Sequence, residues 1–303
     1  MADPQPSASS RRLVWLASDG DGVPLGSAFL RLFEREGQDH LAELELNVHP
    51  AERRRGVGSE LLARAVAGAE EERRRCVLAQ AGAGTPGDRF LAARRFRKVL
   101  TLTYARLALA HAAVDRAAPT DAAMDTVTVD AAAVDTVTDG PPAGYRLRSW
   151  DGTVPDELAD TFTASRRAMD DMPMDDTDYG VVVWDVERVR AAAKAIADRG
   201  ESLHTVVAVD ESDGSIAGFT ELVVPGDGKG DGQHYGTGVL PEHRGHGLAR
   251  WMKAEAIRQA RERYPDLGGL LADTADGNTH MRAVNDSLGY RPTHRTFQYQ
   301  LDL

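Results

Sequence analysis

Val48-His49-Pro50-Ala51-Glu52-Arg53-Arg54-Arg55-Gly56-Val57-Gly58 and Val239-Leu240-Pro241-Glu242-His243-Arg244-Gly245-His246-Gly247-Leu248-Ala249 are two versions of one pattern. Each runs from an apolar stretch through a proline two residues on and an arginine to Gly-x-Gly or Gly-x-Ala, where an amphipathic stretch begins. A helix N-terminus leaves N–H groups without intrahelical acceptors and carries partial positive charge. Residues without bulky side chains let a pyrophosphate reach those N–H groups, and an arginine adds a charge-assisted contact. A dinucleotide fingerprint needs this turn to open a βαβ unit, and here it follows a hairpin. A P-loop needs Gly-Lys-Ser/Thr, which is missing. One copy would be read equally well as an ordinary strand-to-helix turn. Two copies in the same topological slot favour an anion cradle.

Working outward, both flanks carry the same order of elements. Upstream of the second copy, His204 to Val209 and Ile216 to Val224 are apolar strands joined at Asp213-Gly214, a hairpin signal, and Gln233 to Leu240 is a third strand. Leu248, Met252, Ala256 and Ala260, with Ile257, mark one face of the helix that follows. Leu267 to Ala272 reads as a strand, Asn278 to Leu288 as a helix stopped by Gly289, and Thr296 to Leu301 as a last strand. A strand at Tyr145 to Trp150 and helices at Glu157 to Met169 and Val186 to Arg199 precede this set. Around the first copy, strands are expected at Leu13 to Ala17, Leu25 to Leu32, Leu41 to Val48 and Cys76 to Gln80. A helix is marked there by Leu61, Leu62, Ala65, Val66 and Ala69. No strand and helix pair precedes Leu13, so the first half reads as truncated and the second as complete. Between them, 111–143 is rich in Ala, Asp, Thr and Val, and repeats Asp-Thr-Val-Thr at Asp125 and Asp135. It is read as a linker, with a short added strand as the alternative.

The fold class expected is therefore α/β of the α+β type: domains at 1–110 and 144–303, each a mixed, mostly antiparallel sheet flanked by helices. The 303 residues suit two domains, and 42% hydrophobic with 27% charged residues is globular composition. Net charge is about +3 over 1–110, −5 over 111–143 and −9 over 144–303. An acidic chain is a poor partner for nucleic acid, and its acidic half suits a cationic small molecule. No apolar run is long enough to span a membrane, and the polar stretch Met1–Arg12 lacks a leader's apolar core, so a cytosolic protein is expected. The single cysteine, Cys76, excludes an intramolecular disulfide and a multi-cysteine zinc site. His243 and His246 flank the second cradle without a third ligand at a fixed spacing, so no metal is expected.

Arg53–Gly58 and Arg244–Ala249 resemble the acetyl-CoA-binding motif of the GNAT N-acetyltransferases. Asn278, Met281, Asn285 and Leu288-Gly289-Tyr290 resemble the segment that follows it in that family. The pair resembles the tandem-GNAT proteins of actinobacteria, a layout mycothiol synthase also has. The resemblance implies acetyl-CoA as acyl donor and a small-molecule primary amine as acceptor. It implies that Thr237, Gly238 and Val239 offer the strand edge to the pantetheine arm. Arg244, Gly245, His246, Gly247, Leu248, Ala249 and Arg250 would then cradle the pyrophosphate, with Asn278 and Asn285 on the arm. In the first half Leu46, Asn47, Val48, Arg53, Arg54, Arg55, Gly56, Val57, Gly58 and Ser59 occupy the same places.

Many family members carry a tyrosine that protonates the departing thiolate; Asn285 stands there, and asparagine supplies no titratable proton. The corresponding stretch of the first half, Leu91 to Phe96, has neither Tyr nor Asn, which points to a non-catalytic first domain. A base is needed because an amine near pKa 10 is protonated at neutral pH. Glu221 interrupts an apolar strand and is either that base or a carboxylate on a solvent face. Tyr235 shares strand parity with Thr237 and Val239 and is read as an acid or positioning group. The acidic, Met-rich stretch Met169 to Asp178 is read as either the lining of a cationic acceptor's site or a solvated loop. Against the enzyme reading stands a regulatory or structural acyl-CoA-binding pseudoenzyme.

Overall fold

A computed structural model describes residues 10–109, 141–173, 176–180 and 182–303. The expected linker falls outside the described residues over 111–140. The chain forms two compact units, and neither is contiguous. The first comprises 1–102, 174–183 and 294–303; the second comprises 103–173 and 184–293.

In the first unit, β1 (Ser10–Ser18), β2 (Pro24–Phe33) and β3 (Leu41–Val48) are antiparallel neighbours, and α1 (Val57–Glu71) crosses to a parallel β4 (Cys76–Gly82). A short α2 (Pro86–Ala92) follows, capped by Thr85, whose hydroxyl accepts from Asp88 N–H. Leu61, Leu62, Ala65 and Ala69 of α1 pack on Ala28, Leu30, Leu32, Ala42, Leu44, Val77 and Ala79. Gly68 lets the helix meet Trp15 closely, since a Cβ there would stand 2.8 Å from the indole. The unit is closed by the chain's last strand, β11 (Arg291–Asp302), which runs antiparallel to β4 from Gly82↔Thr296 to Cys76↔Asp302.

The second unit begins within β5 (Arg97–Ala108). Its strand order is β5, β10 (Leu267–Ala275), β9 (Gly230–Val239), β8 (Ile216–Pro225), β7 (Glu201–Asp210) and β6 (Tyr145–Asp151). All described pairs from β6 to β9 are antiparallel, and β9–β10 is parallel. β8 is buried along almost its whole length because helices cover both faces. On one side α5 (Leu248–Arg263) sets Leu248, Met252 and Ala256 on Val206, Ala208 and Ala217. On the other, α3 (Ala159–Ser165) and α4 (Val186–Asp198) set Phe162 and Val189 on Val207, Val209 and Phe219. A last helix, α6 (Thr279–Ser287), precedes β11.

These are two α/β units with mixed, mostly antiparallel sheets flanked by helices, the class read from the sequence. Their boundaries differ from the spans 1–110 and 144–303. The strand after each second helix leaves its own half: residues 103–108 of β5 run beside β10, and Thr296 to Asp302 of β11 pair with β4. Alternating side chains reveal that a strand exists and are silent on its partner. The helix expected over 157–169 also breaks, into 3₁₀ turns at Asp156–Leu158 and Arg166–Met169 around α3. Ser165 Oγ donates to the Phe162 carbonyl, a bond that competes with the helical ladder.

Candidate active site

The parallel strands β9 and β10 pair only from Gly230↔Leu267 to Gln233↔Leu271, although β9 runs on to Val239 and β10 to Ala275. Past Gln233 they part, and one edge of β9 faces a gap. Leu240 N–H donates to Ala217 O, so antiparallel alternation turns the N–H groups of Val239 and Thr237 away from β8 and into that gap. The Val239 carbonyl accepts from Arg244 Nε at 3.0 Å. The first unit repeats this. β3 and β4 pair only from Leu41↔Cys76 to Leu44↔Ala79, His49 N–H donates to Leu25 O, and Arg53 Nε reaches the Val48 carbonyl at 3.2 Å. Leu46, Asn47 and Val48 thus hold the positions of Thr237, Gly238 and Val239.

Where each gap opens, a helix begins on a left-handed glycine. Gly245 and Gly247 have φ of 85° and 75°, and a Cβ on either would meet nothing within 4 Å. The first-turn N–H groups of Leu248 and Ala249 lack intrahelical acceptors. His246 lies over the turn, its Nδ1 3.2 Å from the His243 carbonyl. In the first unit Gly56 (φ 91°) caps α1 ahead of Val57, Gly58 and Ser59, but Arg54 takes the left-handed position of Gly245, with φ of 66°. Arg55 pairs with Glu52, and Ser59 Oγ accepts from Arg94 at 2.6 Å. In the second unit Arg244 grips Asp171 through both terminal nitrogens, at 2.6 and 2.8 Å. Hydrogen bonding between the two raises the guanidinium's pKa and lowers the carboxyl's.

For three candidate assignments the geometry adds what the sequence does not show. Glu221 is buried, and both its oxygens are held by Arg166, at 2.8 and 2.5 Å, so it is neither a solvated carboxylate nor a free base. Its partner lies 55 residues away in sequence, beyond any local pattern. Tyr235 is 51% exposed, and its hydroxyl accepts from Arg199 at 3.0 Å. Glu221 pairs with Gly236 and Leu222 with His234, which leaves Tyr235 as the extra residue of a β-bulge. A bulge resets alternation, so parity with Thr237 carries no meaning there. The acidic stretch also divides. Asp171 belongs to the second unit, whereas Asp176 and Asp178 belong to the first: Asp176 N–H donates to Val99 O, and Asp178 sits 3.1 Å from His40 Nε2. Met174 and Asp175 are outside the described residues. Asn278 caps α6, accepting from Met281 N–H at 3.1 Å, and Asn285 is buried with Nδ2 on Thr274 Oγ1 at 3.2 Å. Among the described residues no group of three or more His, Cys, Asp or Glu is placed to hold a metal.

Residues 167–290 match the acetyltransferase (GNAT) family model, and residues 10–96 match the acetyltransferase (GNAT) domain model. The chain belongs to the GNAT acetyltransferase family. A tandem GNAT protein from the clavulanic acid biosynthesis pathway is similar over 98% of this chain and 84% of its own, at 23% identity and a TM-score of 0.74. A GCN5-related N-acetyltransferase from Sphaerobacter thermophilus is similar over 95% and 80%, at 16% identity and 0.63. One from Kribbella flavida covers 96% and 89%, at 16% identity and 0.52. These likenesses are of fold. No protein of curated function matches the chain. No helix among the described residues is long and apolar enough to cross a membrane.

The second GNAT unit also buries polar groups that sequence reading passed over. Thr237 Oγ1 lies 2.7 Å from Thr220 Oγ1, which lies 3.5 Å from His234 Nδ1. His234 packs on Tyr290, as does Lys253, whose Nζ is 5.1 Å from the ring centre. Burial pushes the Lys253 ammonium down to about 7, and Asp273 opposes the shift only in part. An amphipathic-helix reading takes any lysine as outward-facing, which hid this one. Between pH 7 and the ordinary lysine range the unfolded chain binds the extra proton, so stability rises with pH across that window. Lys253→Met is expected to stabilise the protein by about 2 kcal/mol at pH 6, with the gain shrinking towards pH 10. Urea unfolding of both proteins at the two pH values checks this; a pH-independent difference contradicts the buried-amine account.

Proposed function

We propose that the second unit transfers acetyl from acetyl-CoA directly to a primary amine of a small molecule. The observation that carries this reading is the Val239 N–H directed into the β9–β10 gap beside the glycine turn that opens α5. With pyrophosphate at that turn and the pantetheine arm along Thr237–Val239, the thioester carbonyl meets a fixed donor, as in an oxyanion hole. The amine, deprotonated by solvent water, attacks the carbonyl carbon, the C–S bond breaks, CoA leaves as thiolate, and the second nitrogen-bound proton also passes to water. Cys76 lies in the first unit and is buried, which argues against a covalent acyl-enzyme. The first unit keeps a cradle but has, among the described residues, no counterpart of β6, α3 or α4 to wall an acceptor, so we assign it a structural role with CoA binding optional.

A second reading, an acyl-CoA-binding pseudoenzyme, draws support from Asn285, whose Nδ2 is committed to Thr274 where many relatives have a tyrosine hydroxyl. Acetyl-CoA-dependent thiol release with an amine panel separates the two, because CoA binding without turnover favours the pseudoenzyme. Within the enzyme reading, Gly247→Val is expected to lower turnover at least ~100-fold by closing the backbone to pyrophosphate. Its left-handed strain costs only about 1–2 kcal/mol, so the fold survives. Gly56→Val should leave turnover within about twofold if the first unit does no chemistry. Equal losses would mean two working sites.

A further inference from the structure

Three of the five N–H donors of Arg244 are already engaged by the protein. Its Nε donates to the Val239 carbonyl at 3.0 Å, and each terminal nitrogen donates one N–H to Asp171, at 2.6 and 2.8 Å. Asp171 directly follows the 3₁₀ turn Arg166–Met169 and its capping residue Asp170. That turn lies on the gap edge itself: a Cβ on Gly238 would stand 3.0 Å from Ala168 Cβ and 3.1 Å from Met169 Sδ. A second tie, Arg167 to Glu242, holds the same segment to the turn before the cradle. Residues 166–171 are therefore strapped across Gly238 and tied at Glu242 and Arg244, both just ahead of the glycine turn. The Asp171–Arg244 tie is exposed, with side-chain exposures of 55% and 44%, so water and salt hold it only weakly.

We propose that Asp171 is a positioning residue that occupies Arg244 until a pyrophosphate takes the guanidinium from it. Donor binding would thereby free the Asp171 end of the strap over the β9 edge, while Arg166 stays on Glu221 and Arg167 on Glu242. The proposal rests on the reading that the second unit binds CoA. A pyrophosphate carries more charge than one carboxylate and offers the same two-oxygen geometry to the planar fork. It also gains from the α5 N-terminus, which Asp171 does not use. The exchange is local: one guanidinium changes partner while its Nε stays on Val239 O and keeps the strand edge fixed. A single arginine thus reads whether the donor is seated and passes that to the segment over Gly238.

Calorimetry on the full chain tests this with three probes: CoA, pantetheine, which lacks the pyrophosphate, and inorganic pyrophosphate. Asp171→Asn should tighten CoA and inorganic pyrophosphate about three- to tenfold by removing a competitor, and leave pantetheine unchanged. Asp171→Glu should restore most of the wild-type value. In an Arg244→Gln background the Asp171→Asn gain should vanish, which separates exchange of a partner from a general change of field. The proposal is overturned if Asp171→Asn leaves CoA unchanged or weakens it. Equal changes for CoA and pantetheine, or persistence of the gain without Arg244, also overturn it. If the wild type binds none of the three probes, the CoA reading itself fails.

Discussion

Deleting residues 294–303 is expected to expose a cysteine more than 200 positions upstream. Cys76 is 2% exposed, lies in β4 and pairs with Asp302 of β11; Leu303 N–H also donates to the neighbouring Arg75 carbonyl. Burial pushes the thiol up to about 11, so little thiolate forms at neutral pH in the intact protein. Without β11, β4 becomes an edge strand with a row of unpaired backbone groups and loses Tyr299 from the core it shares with Val77 and Ala79. The thiol should then react with a maleimide about 100-fold faster or more, the protection that a local opening free energy of ~3 kcal/mol supplies. Because Cys76 is the only cysteine, the labelling rate reports this site alone. An unchanged rate would show that β11 does not guard β4. The same exchange explains why cutting the chain within 111–143 is a poor way to isolate either unit. A fragment ending near residue 110 lacks 294–303, and one beginning near 144 lacks 103–109.

What the sequence disclosed and what it hid follow from the range of the signals. Gly56 and Gly247 cap helices with the same left-handed turn, and that local geometry was legible because a backbone conformation restricts which residues can stand there. Most strands were legible because alternation has a period of two. β5 buries Thr103, Ala105 and Leu107 in alternation, but it begins inside the Arg-rich stretch Arg94 to Lys98, and adjacent Val99 and Leu100 are both buried, which hides the period of two at its start. Partners were not legible at all. Glu221 with Arg166, Lys253 with Tyr290 and Cys76 with Asp302 are joined only by tertiary structure, and a charged residue on an apolar face looks the same whether it meets water or a buried counterion. Tyr235 shows a subtler limit: one extra residue in β9 overturns an inference from parity without changing the composition of the strand.

Replacing Arg166 with methionine is expected to destabilise the protein by about 3–5 kcal/mol, the cost of leaving a buried charge without its partner. Arg166 stands within 4.6 to 4.8 Å of the Phe162, Trp184 and Phe219 ring centres and holds both Glu221 oxygens. Those rings favour a cation over their faces and give an orphaned carboxylate nothing. Once the guanidinium is gone, Glu221 must either stay charged in an apolar box or take up a proton, and each course costs stability at neutral pH. Arg166→Met with Glu221→Leu should recover most of the loss, since an apolar pair needs no desolvation of charge. Guanidinium unfolding of the two single variants and the double variant measures the coupling. Turnover of Glu221→Gln at matched folded concentration then addresses chemistry. A general base lost from Glu221 would remove the acidic limb of the pH–rate profile, whereas a structural pair leaves the shape of that profile intact. A stability loss below about 1 kcal/mol in Arg166→Met, together with an altered profile in Glu221→Gln, would return Glu221 to the catalytic role that its place in β8 first suggested.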